Sequence, residues 1–315
     1  MRRITTLLLL FGLLLGTVTV CLGQASHTPS AALPPLAAAR NGFHTMLVLE
    51  KIEHIPAPAP PARLFKLVKY PAHFGKQAAY LSPDPRDGKR HPAIIWITGG
   101  DCNSIGDVWT PCPPDNDQTA SAFRKSGIIM MFPSLRGGND NPGFREGFFG
   151  EVDDVLAAAD YLAAQTYVDP MRIYLGGHST GGTLALLVAE CSPRFRAVFS
   201  FGPVYDVGEY GAEYLPFDTS SGRELTLRAP GKWLHSITSP AFVFEGTTES
   251  NIDCLRDLKR SSKNPKVHFF AVEGADHFSV LAPVTKLLAG KVIHDTGPVS
   301  RLTITSKEVS KLSVR

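Results

Sequence analysis

Residues 172–190 read RIYLGGHSTGGTLALLVAE, and the reading of this stretch decides the fold. An apolar run of strand character over 173–175 enters a glycine-flanked turn. A helical pattern then opens at Thr180 and continues to Glu190. Serines occur by chance in glycine-rich loops, so GHSTG alone settles little. Its place between a strand and a helix supplies a physical reason for it. A sharp strand-to-helix turn drives the central residue, Ser179, toward unusual backbone dihedrals, and presses the helix so close that a Cβ at 177 or 181 would clash. Gly176 and Gly182 read as packing positions at the ends of the two elements. The N–H of Thr180, at the start of the helix, points to where a developing oxyanion would sit.

On both sides of this unit, apolar runs of strand length alternate with segments of helical period, the signature of a mostly parallel sheet covered by helices. Strands are predicted at 65–70, 77–81, 93–98, 128–132, 173–175, 197–201, 241–244 and 267–272, and helices at 118–126, 151–164 and 180–190. The expected architecture is α/β, a central sheet flanked by helices on both faces. Residues 203–240 lose both periods and read as an irregular insertion, either a cap over the site or a surface excursion.

With 315 residues, 43% hydrophobic and 19% charged, the chain has enough apolar material for one large core, and a single domain of about 250 residues is the natural expectation. A formal net charge of +3, with no Lys/Arg stripe interleaved with aromatics, argues against nucleic-acid binding. The N-terminus has Arg2 and Arg3, an apolar stretch centred on residues 7–15 and small residues toward Gly23 and Ala25, the layout of an export signal over 1–25. The expectation is an exported protein without stable membrane insertion after cleavage, the alternative being an uncleaved N-terminal anchor. Residues 26–62 are Pro- and Ala-rich and read as a poorly packed linker, with the folded domain spanning 63–315. Beyond the signal lie Cys102, Cys112, Cys191 and Cys254; the first two, close together in a Pro-rich loop, form the expected disulfide. No Cys or His has metal-ligand spacing to a partner, and no metal or organic cofactor is expected.

Acyl transfer to serine needs a base, an acid to orient that base, and donors for the oxyanion. Strand 241–244 runs through Glu245 and Gly246 to Glu249, and strand 267–272 runs into Gly274-Ala275-Asp276-His277-Phe278, which gives the order serine, acid, histidine. With these motifs in place, the chain resembles an α/β-hydrolase of the dienelactone hydrolase and prolyl oligopeptidase catalytic-domain branch over residues 65–288. The similarity is most specific in GHSTG, in GADHF, and in MFPSLRGGNDNPG before GEVDDVLAAADYLA. The resemblance implies Ser179 as nucleophile, His277 as general base and then acid, and Glu249 where the family most often has Asp, with Asp253 the alternative acid. It also implies an oxyanion hole from Thr180 and either Gly100 or Asp101. Arg136, after the next strand, is a candidate carboxylate or carbonyl contact, or else a salt-bridge partner of Asp140 or Glu151. Asp276 reads as shaping the loop of its neighbour, and His178 as packing against the sheet.

The leading expectation is therefore a serine hydrolase working through an acyl-enzyme on a small-molecule ester or a peptide, most simply a carboxylic ester hydrolase. A serine-type peptidase of the prolyl oligopeptidase type is the first alternative. A non-catalytic envelope binding protein that kept the fold is the second.

Overall fold

The central strands are apolar on both faces. In β3 (His91–Ile97), Ala93, Ile95 and Ile97 pack into one core layer while Ile94 and Trp96 pack into the other, as the two-residue pleat of a strand buried on both sides requires. The computed structural model describes residues 34–313. The export signal expected at 1–25 lies outside the described residues, and within them no helix is long and apolar enough to cross a membrane.

Eight strands form one sheet: β1 (Lys66–Ala72), β2 (Gly75–Leu81), β3, β4 (Ile129–Pro133), β5 (Val168–His178), β6 (Val198–Phe201), β7 (Ala241–Gly246) and β8 (Val267–Val272), in the spatial order β1-β2-β4-β3-β5-β6-β7-β8. β2 pairs antiparallel with β1 and β4, and the pairs from β4 to β8 are all parallel. β3 has β4 on one side and β5 on the other, so the chain reverses its direction of travel across the sheet there. The carboxyl ends at such a switch point diverge and leave a crevice, and the Ser179 turn opens onto it.

Nine α-helices accompany the sheet: α1 (Leu36–Arg40), α2 (Ser121–Lys125), α3 (Glu151–Ala163), α4 (Thr180–Cys191), α5 (Gly222–Thr226), α6 (Pro230–Trp233), α7 (Ile252–Ser261), α8 (Leu281–His294) and α9 (Ser306–Val309), counted among the described residues. Leu36, Val155, Leu187 and Leu258 from α1, α3, α4 and α7 share one core layer, and Phe123, Leu288 and Val309 from α2, α8 and α9 share the other. Helices thus cover both faces, as the alternating pattern implied. α8 escaped prediction because Pro283 and Gly290 interrupt its pattern. The proline sits in the first turn, where its missing N–H has no intrahelical partner to lose.

The largest departure from expectation lies in residues 34–62. They do not form a loose linker; they belong to the same compact unit as the other described residues. Leu36 and Ala57 are buried, and Arg40 donates to the Phe149 carbonyl at 2.8 Å and pairs with Asp153 at 3.0 Å. Leu47 forms a bridge with Phe217, and the N–H of Val48 donates to the Pro216 carbonyl at 2.8 Å. Proline-rich chain lacks the donors to add a strand, but it can lie extended along a surface that supplies the hydrogen bonds. A second departure concerns the cysteines. Cys102 and Cys112 are both free thiols; Cys102 is turned inward, buried beside Asn103, while Cys112 faces solvent against the Thr110 carbonyl.

Candidate active site

Ser179 sits at φ 54°, ψ −117° at the start of α4, a dihedral pair that L-residues adopt only when the surroundings enforce it. Its N–H donates to the Phe201 carbonyl at 2.7 Å, which fastens the turn to β6. A Cβ at Gly177 would lie 2.3 Å from the Gly181 carbonyl oxygen, and one at Gly181 2.2 Å from that of Ile97. Both glycines are therefore required by close backbone approach, as the sequence pattern implied.

His277 lies in the loop after β8, and its Nδ1–H donates to Glu245 Oε2 at 3.1 Å. Glu245 is fully buried near the end of β7, and its other oxygen accepts the N–H of Gly246 at 2.8 Å. Neither acid expected from sequence meets this histidine. Glu249 is exposed on a residue with φ 43°, and Asp253 is an exposed partner of Arg256 at 2.8 Å. The correction is one of reach. A glutamate in the strand itself, with one methylene more than aspartate, brings its carboxylate to the imidazole, whereas the turn at 247–251 carries the later acids away. The signal was present in the sequence: Glu245 is the sole charge in an otherwise apolar strand, at its carboxyl end. The pair also needs room from β6, because a Cβ at Gly202 would lie 2.4 Å from His277 Cε1 and 2.7 Å from Glu245 Oε2.

His178 braces the same histidine from behind. It is completely buried, and its Nε2 lies 2.9 Å from the His277 carbonyl, with the ring centroids 4.6 Å apart. A carbonyl only accepts, so Nε2 carries the proton. Burial, with the nearby His277 adding to it, pushes the His178 pKa down to about 3, so the ring is a neutral prop at ordinary pH. Asp276 holds the loop from the other side by accepting the N–H groups of Phe278 at 2.8 Å and Ser279 at 2.7 Å.

The loop after β3 faces the serine. Thr180 Oγ1 donates to the Gly100 carbonyl at 2.9 Å, and Gly100 takes φ 76°. The backbone N–H groups of Gly100, Asp101 and Thr180 donate to no described residue, so three donors stand free at this rim. Arg136 is not among the groups at the rim. It is buried, with its guanidinium bound to Asp154 at 2.9 Å and to Glu146, and packs over the Phe74 ring at 5.0 Å. Its role is to pin the 136–150 loop to α3; the partners are Asp154 and Glu146 rather than Asp140, which pairs with Lys69.

One cation at the rim is Arg145, which sequence reasoning missed. Its Nη2 meets Glu53 Oε1 and Asp101 Oδ2, each at 2.9 Å. Beside it a cavity of about 470 Å³ opens from Gly100, Asp101 and Thr180 and runs between Phe148, Tyr210, Leu215 and Pro216. The 203–240 insertion supplies the last three of these residues. Among the described residues no group of three His, Cys, Asp or Glu side chains is arranged to hold a metal ion.

Comparison with known proteins agrees with this architecture. Residues 114–227 match the model of the prolyl oligopeptidase family. Prolyl oligopeptidase A of Amanita bisporigera is 30% identical over 123 residues, covering 37% of this chain and 15% of that protein. The chain spans less than two thirds of the length of several curated relatives it matches. Among solved structures, a puromycin hydrolase superposes with a TM-score of 0.61 at 18% identity, covering 78% of this chain and 42% of the other. An esterase of Pyrococcus furiosus superposes with a TM-score of 0.58 at 15% identity, covering 78% and 96%. The fold is that of the α/β-hydrolases.

Proposed function

From an α/β-hydrolase fold with a prolyl oligopeptidase family match, we propose that this chain is a serine hydrolase that cleaves a carboxylic ester through an acyl-enzyme. The observation that carries this reading is the strained Ser179 on its elbow, with Glu245 at the buried end of β7 paired to His277 in the loop after β8. Ser179 Oγ attacks the carbonyl carbon while His277 Nε2 takes its proton. Glu245 holds the Nδ1–H tautomer and stabilises the imidazolium as it forms. The tetrahedral oxyanion is received by the free N–H groups of Thr180 and of Gly100 or Asp101, an interaction worth about 10²–10³ in rate per donor in comparable sites. His277 then returns the proton to the leaving alkoxide, and the same cycle with water releases the acid. In the structure Ser179 Oγ makes no hydrogen bond to a described residue; such contacts commonly tighten only when substrate is bound.

Peptide hydrolysis is the second reading, favoured by the family match itself. Against a peptidase that recognises a free N-terminus stands the pairing at the rim, where Asp101 and Glu53 are both bound by Arg145 and leave no free carboxylate for a substrate ammonium.

The test is covalent labelling. A fluorophosphonate probe is expected to modify folded wild-type protein at Ser179 and to leave Ser179→Ala unlabelled. An unlabelled wild type would return the protein to the class of binding proteins that keep the hydrolase fold.

A further inference from the structure

We propose that the cavity beside the oxyanion loop is the acyl subsite, and that it takes an uncharged, ring-bearing acyl group of the aryl or arylalkanoyl class. The inference rests on the serine hydrolase reading and adds to it what the substrate is.

The side of the site follows from the chemistry. The leaving oxygen must come within reach of the imidazole that protonates it. His277 lies against Gly202, Glu245 and His178 and takes no part in lining the cavity. With the carbonyl oxygen on the N–H groups of Thr180 and Gly100 or Asp101, a leaving group directed at His277 sends the acyl substituent the other way, into the cavity those donors border.

The class of acyl group follows from the walls. Phe148 and Tyr210 stack with ring centroids 5.5 Å apart and planes at 15°, and Leu215 and Pro216 continue the apolar lining. The Tyr210 hydroxyl is hydrogen-bonded to Thr183 Oγ1 at 2.7 Å, and burial pushes its pKa well up. Its hydroxyl is thereby engaged and un-ionised, so Tyr210 contributes no charge to the lining. Cys102 is buried in the wall, and burial likewise keeps its thiol protonated.

The charges at the mouth cancel. Arg145 is held by Glu53 and Asp101, and Lys51 Nζ donates to the Tyr214 carbonyl at 2.8 Å. Two cations and two carboxylates leave the mouth without net charge; both carboxylates are taken by Arg145, so a free ammonium finds no unpaired one, and the Lys51 ammonium is engaged by a carbonyl. The volume of about 470 Å³ would hold about fifteen non-hydrogen atoms at the roughly 30 Å³ that a molecule of liquid water occupies. A phenylpropanoyl group fits with room to spare, whereas a hexadecanoyl chain would have to fill the whole cavity and offers no ring to its aromatic wall.

The experiment compares p-nitrophenyl esters with one leaving group: acetate, 3-phenylpropanoate, hexadecanoate, the succinate half-ester, and phenylalanine with a free amine. In wild type, kcat/KM for 3-phenylpropanoate is expected to exceed each of the others by at least tenfold. Leu215→Trp, which fills the cavity, is expected to lower the ratio of 3-phenylpropanoate to acetate at least tenfold while fluorophosphonate labelling shows that the serine still reacts. A protein labelled at Ser179 whose wild-type profile is flat, or favours the charged or long-chain esters, overturns the acyl-subsite inference and leaves the hydrolase reading standing. Absence of labelling overturns both. The wild-type profile decides even if Leu215→Trp fails to fold.

Discussion

At the scale of single residues, the acid of the catalytic constellation separates what a motif carries from what packing decides. Ser179 and His277 were legible because their surroundings in sequence, a strand then GHSTG and a strand then GADHF, dictate local backbone geometry. The acid needs only to bring a carboxylate to Nδ1 of a histidine 32 positions away, and either a strand end or the following turn can do so. The structure chooses the strand: Glu245 is buried against His277 while Glu249 and Asp253 face solvent. Glu245→Gln is therefore expected to lower kcat for an ester by about 10³–10⁴, with KM little changed, by analogy with the loss of the correct histidine tautomer in serine proteases. Glu249→Gln and Asp253→Asn are expected to stay within about twofold, as exposed substitutions do. Steady-state kinetics on the three variants would decide the matter, and a collapse confined to Glu249→Gln would restore the acid read from sequence.

At the scale of elements, the segment 43–53 changes from linker to wall. It is stitched to the insertion by Leu47–Phe217, by the Pro216 carbonyl, and by the N–H of Met46, which donates to Glu224 Oε1 at 2.7 Å. Glu53 stitches it to the 136–145 loop, accepting the Asn139 N–H at 3.2 Å and pairing with Arg145, and to the loop after β3, accepting from Ser104 Oγ at 2.8 Å. Composition could not reveal this, because a proline-rich segment carries the same letters whether it is free or laid against a partner surface that sequence order does not disclose. The buried Arg228 joins these pieces, since its guanidinium reaches Thr45 Oγ1 at 2.7 Å, the Gly147 carbonyl at 2.7 Å and the Glu224 carboxylate. Glu53→Gln removes one of the two carboxylates on Arg145 and leaves the rim one positive charge in excess. A charge acting over about 8 Å at an effective dielectric of about 20 is worth about 2 kcal/mol, and solvent at the half-open rim reduces this to a gain of about fivefold. The variant is expected to raise kcat/KM for the succinate half-ester relative to acetate by that factor, and the gain is expected to fade in high salt. An unchanged ratio would mean that Glu53 does not set the charge of the mouth.

At the scale of the whole molecule, the sheet and the helices bearing the serine were legible because their periods are long and regular. The state of Cys102 and Cys112 was not, because spacing says nothing about which way a side chain turns, and the expected disulfide is absent. Stability adds a feature no pattern reveals: Glu190, on the apolar helix α4, is fully buried, and neither carboxylate oxygen has a hydrogen-bond partner among the described residues. Burial raises its pKa well above the ordinary glutamate range. The folded state therefore holds a proton there that the unfolded chain releases above about pH 4.3. Stability linked to this group is fully present below that unfolded pKa and falls as pH rises toward the folded one. Asp295 acts in the opposite sense. Despite its desolvation, hydrogen bonds from Arg196, the Arg301 N–H, Tyr174 and Ser300 hold its pKa well down, so its contribution is present above about pH 3.9 and is lost on further acidification. Replacing Glu190 with leucine, similar in size and without polar atoms, removes the desolvation penalty of an unpaired buried group, about 1–3 kcal/mol. Thermal unfolding of Glu190→Leu is expected to show a higher Tm than wild type at pH 8, by about 2–4 °C per kcal/mol for a domain of this size, with a smaller gain at pH 4.5, where less of the cost of holding the proton is present. A variant less stable than wild type at pH 8 would show that the Glu190 carboxyl makes a favourable contact in solution, and the pH dependence of α4 packing would then have to be sought in another group.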